Sequence, residues 1–335
     1  MARIVTRKAV TLLAALTFGI LALSLSAGCS AAGPKYPSKP IDLIVAYAPG
    51  GGSDLSARLI APYASKKLGQ PVNVVNVTGA SGITGTMQVM NAKPDGYTIM
   101  IDNTSNTTFL AAAQSNLPFK LEDKTWLGQW IADPMFYMFN ADTPFKSLKD
   151  AMDFARANPE KYTWGAGAQA SQSMFHGLTL LMDAGVDPNK TKMVVFPEGM
   201  APSVQAVLSG TVMEAGAMAA DVEKLLPTGK VKILGVGTQQ RVKKYPDVPT
   251  AKEQGFPTST LVSWYGLSGP KGLPQEVIDT WAKLLTDASK DPEFQAEADK
   301  QNKVLGFLSP KEQQDYVMKE YADMTKLAEK VGIRK

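Results

Sequence analysis

In 335 residues the sequence holds one cysteine and one histidine. A lone thiol cannot close an internal disulfide. A lone imidazole, His176, gives little material for a metal centre, which draws several ligands from His, Cys, Asp and Glu. It also leaves a Ser–His–acid hydrolase a single choice of base; Ser173 stands near it in sequence, but there is no G-x-S-x-G elbow. No metal, cofactor or catalytic residue is expected. Excess charge is scarce as well. The formal net charge of +4 includes Arg3, Arg7 and Lys8, and residues 1–28 contain no acid, so the rest of the chain carries +1. A chain so near neutrality lacks the basic footprint of a nucleic-acid-binding protein. Long linkers, short-period repeats and low-complexity tracts are missing too. With 44% hydrophobic residues the chain should fold.

What is present at the N-terminus points to export. After the basic start at Arg3, Arg7 and Lys8, no charge appears until Lys35, and Ala9 to Leu25 is apolar. Ser26-Ala27-Gly28-Cys29 follows with small residues before the cysteine. A basic region, an apolar stretch and small residues at a cleavage point read as an export signal. The only cysteine sits at that boundary, where acylation would make it the first residue of a lipoprotein. Ser26 departs from the leucine usual at its place. An uncleaved anchor is the rival, since the uncharged run is nearly long enough for a bilayer of ~30 Å; an ordinary cleaved signal is another. Each puts the folded part outside the cytoplasm. Residues 1–28 are thus a signal peptide and 29–35 a tether, with about 300 residues left for one large or two ordinary domains.

Those residues alternate short apolar runs with helical patterns. Leu43 to Tyr47, Val72 to Val77 and Tyr97 to Ile101 read as strands. Glycine-rich turns and helix faces separate them: Leu55, Leu59 and Ile60, then Ile83, Met87 and Met90. The alternation continues with strands at Tyr162 to Trp164, Met193 to Phe196 and Val231 to Val236. Ser147-Leu148-Lys149-Asp150 resembles a capping signature, and Gly210 is a helix stop behind Val204, Val207 and Leu208. Pro274 opens a helix carrying Val277, Trp281, Leu284 and Leu285, and Ser309-Pro310 opens another that runs to about Val331. The class is α/β, with parallel pairing and helices on both faces.

Two turns share one design. Pro49-Gly50-Gly51-Gly52-Ser53-Asp54 and Thr78-Gly79-Ala80-Ser81-Gly82 each lead from a strand into a helix. Glycine permits the turn and lets a ligand approach the amides. The following helix presents unpaired N–H groups and the positive end of its dipole, so an anion is held without Lys or Arg. In open α/β sheets ligands bind beyond the carboxyl ends of strands. Two such turns would form half of a carboxylate site; the plain alternative is that both are tight turns only. Asp54 reads first as a helix cap, otherwise as an acceptor for a ligand amino or hydroxyl group. His176 reads first as a structural hydrogen-bonding residue.

The chain resembles the solute-binding receptors of tripartite tricarboxylate transporters, often called Bug-type receptors. The resemblance rests on Tyr36 to Ile41, the Pro49-Gly50-Gly51 turn through Asp54 to Arg58, Leu68 to Val72, Gly79 to Gly82 and Pro94 to Thr98. Arg241, Pro246 to Thr250 and Gly266 to Pro274 continue it. It implies a two-lobed venus-flytrap fold of type II, with mixed, mostly parallel sheets. Domain 1 would be 36–136 plus 258–335 and domain 2 would be 137–257. A small carboxylate would lie in the cleft, held by backbone amides and ordered water, and pass to integral-membrane permease subunits. The protein would be monomeric and tethered to lipid through Cys29. In the second lobe Gln169, Ala170, Ser171, His176, Glu198 and Gly199 are the corresponding candidates. The sequence departs from the family at Ser81, often glycine. It departs again at Phe196-Pro197-Glu198-Gly199, where a Tyr-Lys-Gly is commoner. Exchanging a cation for Glu198 disfavours a tricarboxylate.

Two other readings stand beside this one. Gly165-x-Gly167-x-x-Ala170 fits a dinucleotide fingerprint formally, but the acid expected some ~20 residues on has only Asp183 and Asp187 as candidates. A structural surface lipoprotein would not need two anion-type turns. For the N-terminus, mass spectrometry of the membrane fraction should find a chain beginning at diacylated Cys29. An unmodified chain retaining Met1 would rule that out.

Overall fold

The computed structural model describes residues 35–167, 171–197 and 199–334. Cys29, the signal-peptide residues and the candidates Gln169, Ala170 and Glu198 lie outside them. The described residues 35–38 belong to one unit and those from 39 onward to another. The second is a two-lobed α/β fold.

Its strands are β1 Ile41–Val45, β2 Val72–Asn76, β3 Thr98–Asn103, β4 Lys124–Asn140, β5 Thr163–Ala166, β6 Lys192–Val195, β7 Glu214–Met218, β8 Val231–Val236, β9 Val262–Pro270 and β10 Leu305–Leu308. One sheet runs β2-β1-β3-β9-β4, with β10 on the far side of β4. The other is built on the second half of β4, which lies between β7 and β8; β5 and β6 extend it from β7. The sheets are mixed. Among the described residues there are four parallel ladders, centred on β1 and β5. Five antiparallel ladders outnumber them, four of which belong to β4.

The helices are α1 Gly52–Leu68, α2 Ile83–Met90, α3 Leu110–Ala113, α4 Leu148–Ala157, α5 Gln172–Asp183, α6 Met200–Leu208, α7 Ala219–Leu225, α8 Gln275–Lys290, α9 Pro292–Lys300 and α10 Pro310–Lys330. Their ends form where the sequence places cap residues. Ser147 Oγ accepts from the Asp150 amide at 3.0 Å to start α4. Ser309 and Glu312 close a reciprocal capping box on α10, which removes two unpaired donors. In α8, Val277, Trp281, Leu284 and Leu285 are buried on one face, as their spacing requires. Gly210 is left-handed just beyond α6, the expected stop.

The strand that the alternation does not reveal is β4. It contains Gly128, left-handed at φ 120°, and Pro134, both strand breakers by habit. Gly128 sits where the register against β9 shifts, and a side chain there would press on Leu285 and the Leu308 carbonyl. Pro134 pairs with Val262 at the end of the β9 ladder, and Met135 opens the ladder with β7. The residue without an N–H therefore stands where β4 leaves one set of partners for the other, and it breaks neither.

Glu214 on β7 is buried, 1% exposed. Burial pushes its carboxyl up to about 8, with Tyr162 pulling the other way. The folded chain thus keeps a proton that an unfolded glutamate, near 4.5, has released. Stability falls as pH rises through that window, by at most about 1.4 kcal/mol per pH unit. Unfolding in urea between pH 5 and 9 should show this slope, and Glu214→Gln should flatten it. Equal slopes in both proteins would mean that Glu214 does not titrate there.

Candidate functional site

The ends of β1, β2 and β3 meet around the start of α1. Gly51 is the N-cap residue, in extended conformation. Leu55 makes the first helical bond, to Gly51 O at 2.9 Å; the amides of Gly52, Ser53 and Asp54 precede it and have no partner within the helix. Asp54 stands in the first turn, not at the cap. Its carboxylate accepts from the Gly50 amide at 2.9 Å, Arg58 Nε at 2.9 Å and Asn76 Nδ2 at 3.0 Å. These bonds, Arg58 first, hold it down to about 2. Asn76 closes β2 and also donates to Tyr47 O at 2.9 Å. On the other side Asn103 at the end of β3 donates to Ser53 Oγ at 2.7 Å. Its own oxygen accepts the amides of Ser105 and Asn106, which open a π-helical turn, Ser105–Phe109. Such turns recur at functional sites.

The glycine turn opens on a cleft of about 680 Å³, lined by Tyr47 through Ser53, Asn103, Ser105, Ser263 and Tyr265. Across it stand Gln172 at the start of α5, Met200 at the start of α6 and Met218 at the end of β7. Gly52 is required here for a plain reason: a Cβ would fall 2.4 Å from the Tyr265 hydroxyl. Both phenols stay protonated. Burial pushes Tyr47 up to about 12 and raises Tyr265 as well. Unpaired amides, two neutral phenols and small polar side chains suit an anion held by hydrogen bonds.

The sequence candidates divide. Gly50, Gly51, Gly52 and Ser53 line the cleft. Asp54 does not; its oxygens are engaged within the turn, so it shapes the site and is not an acceptor for the ligand. Thr78, Gly79, Ala80, Ser81 and Gly82 lie beside the cleft, not on its wall. All but Thr78 are left-handed at φ between 46° and 134°. Tyr47, which does line the cleft, donates to Ser81 O at 3.4 Å and stands between them. Ser171 caps α5, its Oγ accepting from Met174 N at 3.3 Å, and Gly199 is the N-cap of α6.

His176 is fully buried and neither nitrogen has a hydrogen-bond partner among the described residues. Its ring stacks on Tyr137 at 3.8 Å. Burial pulls its pKa down to about 3, so it is a neutral aromatic plate, neither the expected hydrogen-bonding residue nor a cleft residue. The dinucleotide reading loses its glycines as well. A Cβ at Gly165 would meet Ser203 and Ala215, and one at Gly167 would meet Ser173 and Gly199. Close packing within the protein accounts for both glycines.

Gln172, Met200, Met218, Asn103 and Tyr265 were not legible as site residues; only Asn103 and Met218, each at a strand's carboxyl end, followed a rule that could have found them. A larger hollow of about 910 Å³ lies elsewhere, lined by Arg241, Lys244, Lys303 and Phe307 among others. Those three cations are paired with Glu253, Glu223 and Asp133; a fourth, Lys243, also lines the hollow.

Asp54→Ala should cost on the order of 2 kcal/mol at pH 7, as a charge-assisted set of bonds is lost. Because the folded pKa is depressed, that contribution is present above the ordinary value of 3.8 and vanishes as pH falls toward about 2. Urea titrations at pH 7 and pH 3 read the gap; no loss at pH 7 would mean the turn holds without it.

Comparison with known proteins matches this geometry. Residues 56–332 fit the model of the tripartite tricarboxylate transporter family receptor, TctC. A UPF0065 protein of Agrobacterium vitis is 33% identical over 260 residues, 77% of this chain and 73% of that one. Protein BugT of Bordetella pertussis is 30% identical over 275 residues, 80% and 81% of the two chains. The crystal structure of a TctC solute-binding protein from Polaromonas, without ligand, superposes with a TM-score of 0.76 at 27% identity, over 88% of this chain and all of that one. With its fold and most of its length in agreement, this chain belongs to the tripartite tricarboxylate transporter receptor family.

Proposed function

We propose that this chain is an extracytoplasmic receptor that binds a small carboxylate in the cleft at the Gly50–Ser53 turn and delivers it to membrane permease subunits. The observation that carries the reading is the unpaired start of α1 opening on a cleft whose other wall comes from α5, α6 and β7. Domain 1 is taken as 36–136 plus 258–335 and domain 2 as 137–257, with closure about the two crossings between them. Acylation at Cys29 would tether the receptor to the membrane it serves. The described residues that line the cleft are hydrogen-bonding groups and thioethers, with no nucleophile paired to a base among them, which supports binding without bond-breaking chemistry.

The test is calorimetry, first with malate, adipate, citrate and benzoate on the full chain. A bound acid should raise the melting temperature, whereas ATP and NAD should not. Gly51→Val is the informative variant. Gly51 has an ordinary φ of −78°, and a Cβ there would meet only the Ala48 carbonyl, at 3.5 Å. The variant therefore folds, and its side chain occupies the place of the anion. Affinity should drop on the order of ten- to a hundredfold, the worth of one charge-assisted bond or more. Gly210→Val, strained at φ 74°, should lower stability and leave affinity alone. Unchanged affinity in Gly51→Val would place the anion elsewhere.

A further inference from the structure

Behind one phenol of the cleft stands a charge that no ligand can touch. Tyr265 faces the glycine turn so closely that a Cβ on Gly52 would fall 2.4 Å from its hydroxyl. Lys303 lies over its ring, with Nζ 4.8 Å from the centroid. This lysine comes from the segment between α9 and β10 and borders the larger hollow, not the cleft. Its side chain is 10% exposed, so solvent screens its charge little. A set of bonds fixes it there. Asp133 on β4 accepts from Lys303 Nζ at 2.8 Å and from the Val304 amide at 2.9 Å. Val304 O accepts in turn from Ala132 N at 2.9 Å.

Asp133 does not cancel the effect on the ring. Burial keeps the phenol protonated, and of the two charges Lys303, which favours ionisation, outweighs Asp133, which opposes it. A cation against the face of a ring is attracted by its π electrons and draws them toward itself. The hydroxyl on that ring becomes a stronger donor, and a charged acceptor gains most from it. Ser263, which also lines the cleft, bonds to the phenol. A hydroxyl both donates and accepts, so a serine proton on the phenol oxygen leaves the phenol proton for the cleft. Resting on the carboxylate reading above, we infer that Tyr265 donates a hydrogen bond to the ligand carboxylate and that Lys303 strengthens it from behind the ring. Lys303 is on this account a positioning residue that acts through Tyr265. The helix amides and the phenol hold the anion, and the full positive charge stays out of its reach.

Titration calorimetry on the full chain, with whichever of malate, adipate, citrate and benzoate binds tightest, decides the matter through a double-mutant cycle. Tyr265→Phe should weaken binding about tenfold or more, the worth of a hydrogen bond to a charged group. Lys303→Met together with Asp133→Asn removes the ion pair as a pair, stranding no buried charge. That change should weaken binding about three- to tenfold, but by less than about twofold when Phe already replaces Tyr265. Lys303→Arg keeps a cation on the ring and should stay within about twofold of wild type. Equal losses with and without the phenol would mean that Lys303 acts by shape alone, and would overturn the inference. Unchanged affinity in Tyr265→Phe would do the same. Should the double substitution not fold, Asp133→Asn alone carries the test: the opposing charge goes, Lys303 stays, and affinity should equal or exceed wild type. A loss there would mean that the pair only ties β4 to the segment after α9. In wild-type protein labelled with 13C at tyrosine Cζ, the resonance that Tyr265→Phe removes should move as the acid is added; one that stays put also counts against the phenol contact. Each of these failures leaves the carboxylate reading standing. Failure of all four acids to bind would remove that reading, and this one with it.

Discussion

The arrangement depends on one strand serving two sheets. In its first half β4 is bonded to β9 and β10, in its second half to β7 and β8. Hydrogen-bond ladders are directional and spaced by the backbone, so a continuous strand fixes the orientation of each sheet's central axis at its own crossing. Only near Pro134 does neither ladder fully claim it. A ladder is stiff along its length and weakest where donors are missing, and Pro134 supplies none. The returning chain is tied there too, Gly237 donating to Met135 O at 2.8 Å.

At the mouth of the cleft the same economy recurs. Asp54 and Asn103 are polar residues whose bonds are spent on the protein itself, pinning the ends of β2 and β3 to the start of α1. Because these side chains neutralise the strand ends, the helix amides are left facing open space. The anion site proposed there would owe its shape to groups that never touch the anion. Lowering the reorganisation needed on binding is what such preorganisation achieves.

How much of this could be read from residues alone follows from locality. Caps, stops and amphipathic faces involve neighbours three or four apart, and so Ser147, Ser309 and the α8 face were legible. The first glycine turn was legible because glycine repeats within a few positions leave few conformational alternatives. What was not legible depends on contacts distant in sequence. β4 contains a glycine and a proline that only make sense once β7, β9 and the side chain of Leu285 are in place. Gln172 reads as an ordinary helix-start residue until the turn more than a hundred positions earlier is set opposite it. The strained Ala80 and Ser81, left-handed without being glycine, carry no signature of that conformation in their identity.

The complete burial of His176, stacked on Tyr137, alters the acid–base character of the chain. Imidazole is the group that ordinarily gives proteins their buffering near neutrality, and here the chain's one example stays uncharged down to about pH 3. The proton that changes hands near neutrality belongs to a carboxyl group, Glu214. Acid and base have exchanged their customary ranges. The interior of the fold thus gives up a proton from a carboxyl group as pH rises toward about 8, a range ordinarily left to imidazole, while its imidazole has none to give.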